Sequence, residues 1–210
     1  MEQKEIIYIL CEGNSEVGYI TKLNKFLDDN DYDFTLQSEN LHGCFQSKTD
    51  TEKNAYSKIS KIVKKDLLSK SKKGLFIIWL DDDVFKRGEL KKDILESRLK
   101  NFNSTHKTVK IIYSYENFED FLSMHLEQKL FEQWEKICLE QNHFETLMIS
   151  TVYEPLIRTI IEKYSKEKLS SEIHIDIDTI KILKERQSNK NFHAKCDLIN
   201  FIVDKLKITC

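Results

Sequence analysis

The hydrophobic and polar positions of this chain fall into blocks of two kinds. Two blocks are short and almost unbroken apolar runs: Ile6 to Cys11, and Leu75 to Leu80, which reads Leu-Phe-Ile-Ile-Trp-Leu behind Gly74. Runs of this length, rich in β-branched and aromatic residues, predict strands covered on both faces. Each run stops abruptly, the first at Glu12-Gly13-Asn14-Ser15-Glu16 and the second at Asp81-Asp82-Asp83. The other blocks are periodic. Val17, Ile20, Leu23 and Leu27 recur at helical spacing, so a helix follows the first strand. Gly13 then supplies the geometry of a tight strand-to-helix turn, and Asn14 or Ser15 the cap.

Further along, Tyr32 to Leu36 alternates as a second, shorter strand, and the polar stretch from Ser38 to Thr49 reads as a loop. A helix over Thr51 to Leu68 buries Ile59, Ile62, Val63 and Leu67. Its other side carries Lys53, Lys58, Lys61, Lys64 and Lys65, a lysine face of the kind that ordinarily serves solvation. A helix over Glu89 to Phe102 and a fourth strand over Val109 to Tyr113 complete the regular part. Strands alternating with helices of this length predict an α/β fold built of parallel βαβ units, with a mainly parallel four-stranded sheet flanked by helices.

After Tyr113 the texture turns helical. Helices are expected over Phe118 to Trp134, over Phe144 to Tyr164 with Pro155 starting or kinking it, over Asp178 to Glu185 and over Ala194 to Leu206. Ile173 to Ile177 fits a short strand or the lead into a helix. The chain therefore divides into an α/β domain over residues 1–126 and a C-terminal helical extension over 127–210.

Composition narrows the function classes. The formal net charge is −2, so no global basic field announces nucleic acid, and any such binding is local. The five cysteines (Cys11, Cys44, Cys138, Cys196, Cys210) are odd in number and form no CxxC pair. That pattern fits a reducing compartment and argues against a disulfide framework or a zinc knuckle. The polar start and the absence of any apolar run near the ~20 residues a bilayer needs lead us to expect a cytoplasmic protein without membrane contact.

The candidate chemistry sits where the strands end. If the extended geometry persists, Asp81 and Asp83 point to one side and Asp82 to the other. Two carboxylates aimed at one spot suit a hard divalent ion such as Mg²⁺ or Mn²⁺, although aspartates after a strand also start loops and cap helices. In open α/β sheets, ligands bind beyond the carboxyl ends of the strands where the strand order reverses. Glu12 ends a strand at that same edge. Gly13 and Asn14 lie where helix-terminal amides would meet a phosphate, and Lys86 and Arg87 are either phosphate clamps or solvent charges. His125 falls on the apolar side of its helix, as a core histidine does. Lys190, His193 and Lys195 form a basic cluster that either touches nucleic acid or, as such clusters more often do, decorates a surface.

Glu12-Gly13 after the first strand, Asp81-x-Asp83 after the third, and the four-strand α/β order between them resemble the TOPRIM (Rossmann-like) domain of topoisomerases, primases and OLD-type nucleases. The nearest subset is the RloB-like family of small bacterial proteins. Its opening Glu-Gly, Thr-Glu and aromatic are mirrored by Glu12-Gly13-Asn14-Ser15-Glu16 and Tyr19. Its segment Ser-Asn-Pro-x-Phe-Glu-x-Trp-x-Leu-Leu-His-Phe is matched at Ser114, Phe118, Glu119 and His125. Tyr115 and Glu116 replace Asn-Pro, Phe121 replaces Trp, and Ser123 and Met124 replace the two leucines. The resemblance covers residues 5–126.

The resemblance implies Mg²⁺-dependent phosphodiester hydrolysis of DNA or RNA in phage defence of the abortive-infection kind, with an ABC-type or AAA-type ATPase as partner. On that reading Asp81 and Asp83 are metal ligands and Glu12 is a further ligand or the general acid/base. Glu119 is a catalytic carboxylate, and Glu116 completes a second metal position. A homodimer is compatible with the chain. Two other functions stay open: a catalytically silent TOPRIM interaction subunit of an ATPase complex, and a nucleotide-sugar transferase whose Asp-x-Asp holds Mn²⁺ and a diphosphate.

Overall fold

In the computed structural model, which describes residues 4–41, 57, 59–61, 74–82, 85, 91–102, 107–115, 118–129, 131–132, 173–189 and 194–209, the first apolar run forms strand β1, Glu5–Cys11. It pairs in parallel with β2 (Phe34–Asn40), from Glu5↔Phe34 to Cys11↔Asn40. On its other side it pairs in parallel with β3 (Gly74–Asp81), from Ile7↔Leu75 to Cys11↔Trp79. Strands β4 (Lys107–Tyr115) and β5 (Lys195–Cys196) complete a five-stranded sheet of order β2-β1-β3-β4-β5. The helices whose bounds fall within the described residues are α1 (Asn14–Asp29), α2 (Lys92–Lys100), α3 (Phe118–Ser123), α4 (Ile177–Ser188) and α5 (Asp197–Leu206). The fold is mixed α/β, compatible with a Rossmann-like arrangement.

Both faces of the central strands are covered, as their uninterrupted apolar runs require. The even positions Tyr8, Leu10, Phe76, Ile78 and Leu80 form one core cluster with Leu41, Ile59, Tyr113 and the α2 residues Leu95 and Leu99. Within it Tyr8 stacks on Phe76 at 5.1 Å. On the odd face Ile7, Ile9, Cys11, Ile77 and Trp79 are buried, and Tyr19 of α1 meets Trp79 edge-on at 6.2 Å. Helix α1 buries Tyr19, Ile20, Leu23, Phe26 and Leu27.

Several sequence expectations need correction. β2 continues through Ser38, Glu39 and Asn40, where a loop was expected, because β1 hydrogen-bonds those residues whatever their polarity. The Asn24 side chain takes both backbone groups of Leu36, donating to its carbonyl and accepting from its N–H, and so shields an edge strand. Neither Asn14 nor Ser15 caps α1; the N-cap is Gly13, in extended backbone at φ −138°. Gly74 is the glycine that torsion demands, at φ 143°, since a β-carbon there would have room.

The contacts divide the chain into two compact units, Met1–Tyr113 and Ser114–Cys210. In the second unit the helix expected over Phe118 to Trp134 breaks after Ser123. Met124, His125 and Leu126 donate their N–H groups three residues back, to Phe121, Leu122 and Ser123. The buried Arg186 of α4 then donates to the Met124 and Leu126 carbonyls and to Gln128 Oε1. Its guanidinium lies 4.6 Å from the Phe131 ring centroid. Carbonyls freed at the end of a helix need donors, and here a residue about 60 positions away provides them.

The helix expected over Ala194 to Leu206 loses its first residues to β5, whose Cys196 and Lys195 pair antiparallel with Ser114 and Tyr115. Ile173 to Ile177 leads into α4, which Asp176 caps by accepting from the Thr179 N–H at 2.7 Å. That hydrogen bond holds the Asp176 carboxyl below its ordinary range. Residues 57 and 59–61 are helical, as expected. The rest of the helix over Thr51 to Leu68 and the helix over Phe144 to Tyr164 lie outside the described residues. No helix among the described residues is long and apolar enough to cross a membrane.

Candidate functional site

The strand order reverses at the β1/β3 boundary, since the chain leaves β1 to one side for β2 and returns on the other for β3. A sheet of order 2-1-3-4-5 presents its ligand crevice beyond the carboxyl ends of those two strands. Glu12 follows β1 directly, and Asp81 is the last residue of β3. The backbone N–H of Asp81 donates to Glu12 Oε2 at 3.1 Å, joining residues 69 apart in sequence. That bond sets the Glu12 carboxylate against the backbone of Asp81, at the end of β3. Asp81 is buried at 8 % exposure, and Glu12 is half-buried.

The expected alternation along Asp81-Asp82-Asp83 ends at its first member. The chain turns at Asp82, whose carbonyl accepts from the Phe85 N–H at 3.2 Å. The Asp82 carboxylate accepts from Lys92 Nζ at 2.8 Å, and that ammonium lies 3.6 Å from the centroid of the Tyr113 ring. Tyr113 in turn donates its hydroxyl to Glu96 Oε1 at 2.7 Å, with Phe85 edge-on at 6.0 Å. Asp82 thus ties the turn after β3 to the start of α2. Lys92 gave no signal in the sequence, because its partner is fixed only by how α2 packs.

A second group that the local pattern did not single out is Glu16. Its carboxylate accepts from the Gly13 N–H at 3.1 Å, the reciprocal half of a capping box, and it is 95 % buried by exposure. The spacing Gly13-x-x-Glu16 was available as a signal. A β-carbon on residue 13 would sit 3.1 Å from Glu16 Oε2, so glycine is needed here for space and not for torsion. Burial raises the Glu16 carboxyl above its ordinary value, although backbone hydrogen bonds at Glu16 and Gly13 pull it down. Burial, with the nearby Glu16 charge, also pushes the Cys11 thiol far up, so this cysteine is an inert core residue.

Among the other residues singled out from sequence, Gly13 and Asn14 are at the amino terminus of α1, at the same strand edge. Asn14 Oδ1 accepts from Asn40 Nδ2 at 2.6 Å, which joins this turn to the end of β2. Asp83, Lys86, Arg87 and Glu116 lie outside the described residues, as do Lys190 and His193. Glu119 is within α3 of the second unit, and its side chain is outside the description. His125 packs edge-on against Phe121 at 5.7 Å.

The donor set formed by Glu12 and Asp81 is of the hard oxygen type that Mg²⁺ and Mn²⁺ take. Among the described residues no group of three or more His, Cys, Asp and Glu side chains is arranged to hold a metal ion. Two carboxylates with waters and a substrate phosphate satisfy such an ion.

No protein-family model matches the chain, and neither the curated proteins nor the solved structures yield a match.

Proposed function

We propose that this protein is a metal-dependent nuclease of the TOPRIM type, akin to the RloB-like proteins. The observation that carries the reading is the hydrogen bond from the Asp81 amide to Glu12 Oε2, at the strand edge where the order reverses. That bond brings the Glu12 carboxylate to the end of β3, beside the residue whose own carboxylate this reading assigns to the same cation. Asp81, Asp83 and Glu12 would hold Mg²⁺ or Mn²⁺. When bound, such an ion polarises the scissile phosphate, lowers the pKa of the attacking water and stabilises the leaving oxygen.

The chain's own groups have separate tasks. Glu12, half-buried and beside the metal position, is placed to accept a proton from water. With the Gly13 N–H donated to Glu16, the amide this reading gives to a phosphate oxygen is that of Asn14, at the amino terminus of α1. Lys86 and Arg87 clamp the nucleic-acid backbone. The substrate is DNA or RNA, the setting is phage defence in the cytoplasm, and an ABC-type or AAA-type ATPase is the expected partner.

The alternative of a silent interaction subunit draws on the same hydrogen bond, because a purely structural glutamate could also hold the Asp81 amide. Two measurements separate the readings. Calorimetry with Mn²⁺ should show a saturable heat that Asp81→Ala and Asp83→Ala abolish, and a metal-supplemented panel of DNA and RNA substrates should reveal cleavage lost in Glu12→Ala. Absence of that heat favours the silent subunit. Absence of both ends the nuclease reading.

A further inference from the structure

The second unit contains a cleft of about 400 Å³, within the range of about 300–1,000 Å³ that small-molecule sites occupy. Its walls come from the end of β4, from β5 and from helices α4 and α5. Two lysines, Lys184 and Lys195, line it, together with Tyr115, Gln187, Asn200 and Asp197. Lys195 belongs to the basic cluster that the sequence reads more readily as surface decoration, yet the cleft gives it a place.

The polar groups in this cleft are held before any ligand arrives. Asn200 Oδ1 accepts from Lys184 Nζ and, at 2.7 Å, from Gln187 Nε2. Gln187 is buried at 8 % exposure, and its Oε1 accepts from the Cys196 N–H at 3.2 Å, so β5 fixes the glutamine that fixes the asparagine. With its oxygen occupied twice, what Asn200 adds to the lining of the cleft is its NH₂ donor. Lys184 has donors left after one bond to Asn200, and neither lysine forms a salt bridge among the described residues. The hydrogen-bonding complement is therefore dominated by donors, two of them cationic. An anion with several acceptor oxygens matches it.

Tyr115 adds a second requirement. It is one of three large hydrophobic side chains exposed among the described residues, at 36 %, and it stands at the end of β4 over the cleft. An exposed ring beside ammonium groups offers a face for stacking a planar base. Asp197, also among the lining residues, carries a negative charge that discourages a bare polyanion. We propose that this cleft binds a nucleoside phosphate, its base on Tyr115 and its phosphate on Lys184 and Lys195. The source is a free mononucleotide or one nucleotide of a single strand; the recognition chemistry is the same.

The site stands apart from the nuclease reading and would persist if Glu12 and Asp81 were inert. Calorimetry on the full chain, without added metal, tests it with four probes: a nucleoside 5′-monophosphate, its nucleoside, inorganic phosphate and a short single-stranded oligonucleotide. The monophosphate is expected to bind more tightly than either of its halves. Lys184→Ala and Lys195→Ala should each weaken it roughly tenfold and leave the nucleoside unaffected. Tyr115→Ala should weaken monophosphate and nucleoside alike by roughly tenfold, and Tyr115→Phe should restore both. Glu12→Ala should change nothing. Tighter binding of the oligonucleotide would identify the strand as source, and tighter binding of the monophosphate a free nucleotide; either supports the cleft. Absence of saturable binding, or binding indifferent to Lys195→Ala in a variant with unchanged thermal midpoint, would overturn it.

Discussion

Each unit takes charge out of water, and the two do so in opposite ways. In the second, the buried Arg186 spends its guanidinium on the Met124 and Leu126 carbonyls and the Gln128 amide, and so ends α3. In the first, Glu12, Asp81 and Glu16, all acidic, are gathered around one strand edge and its adjoining turn. A cation that satisfies backbone carbonyls stabilises the fold it sits in, because removing it strands acceptors. Acidic groups gathered on one side of a sheet repel one another and gain from an added cation. Burial of charge alone does not mark a site; the sign and the partners of neighbouring groups do.

Neutralising the acidic edge should separate function from stability most sharply. Glu12→Gln keeps an oxygen to accept from the Asp81 amide, so urea unfolding should move by less than about 0.5 kcal/mol. Cleavage measured on the same preparation should fall by about a hundredfold or more. A large loss of stability with cleavage retained would reverse the comparison.

Arg186→Ala should do the opposite, costing on the order of 3 kcal/mol by urea unfolding through the carbonyls it strands, while Mn²⁺ binding by the folded fraction is unchanged. Arg186→Lys should recover only part, since an ammonium cannot reproduce the fork. A mutant as stable as the parent would show that α3 is ended by something else.

Glu16 supplies a smaller, pH-dependent effect. Its carboxyl is raised above the ordinary 4.5, so as pH climbs the unfolded chain gives up that proton before the folded one does. The stability it contributes is complete below about pH 4.5 and declines until the pH passes the raised value. Glu16→Gln carries no such proton and should flatten this part of a stability profile taken by urea titration. Glu16→Ala also loses the bond to the Gly13 amide, at a cost of about 1 kcal/mol. A profile identical in parent and Glu16→Gln would place the titration elsewhere.

Smallest of all should be Lys92→Met. The Lys92–Asp82 pair is partly exposed, at 37 % and 25 %, and together with the ring contact it should contribute under about 1 kcal/mol to unfolding. Its effect on metal affinity would show how far the turn after β3 depends on α2.

Much of the first unit was legible because its information is local. The run Leu75 to Leu80 announced a strand covered on both faces, and Ile20, Leu23 and Leu27 announced the buried side of α1. What was lost there was polar structure: Ser38 to Asn40 look like a loop until β1 pairs with them. The edge that gathers Glu12 and Asp81 was legible through topology, since strands of a βαβ order end together. The Asp82–Lys92 anchor was not, whereas the pairing of Glu16 with Gly13 was written in a local spacing and went unread.

By itself the sequence determined which stretches are apolar on two faces, which on one, and which acidic residues end the strands, because those depend on neighbours within a few residues. Only the tertiary structure decided where α3 stops, that Lys195 and Cys196 become a strand, and which polar side chains meet in the cleft of the second unit. Each of those rests on a hydrogen bond or strand pairing that joins distant segments, from Arg186 to Met124 or from Cys196 to Ser114. Such bonds leave no period in the chain, because the energy that fixes them comes from satisfying backbone groups after the core has brought them together.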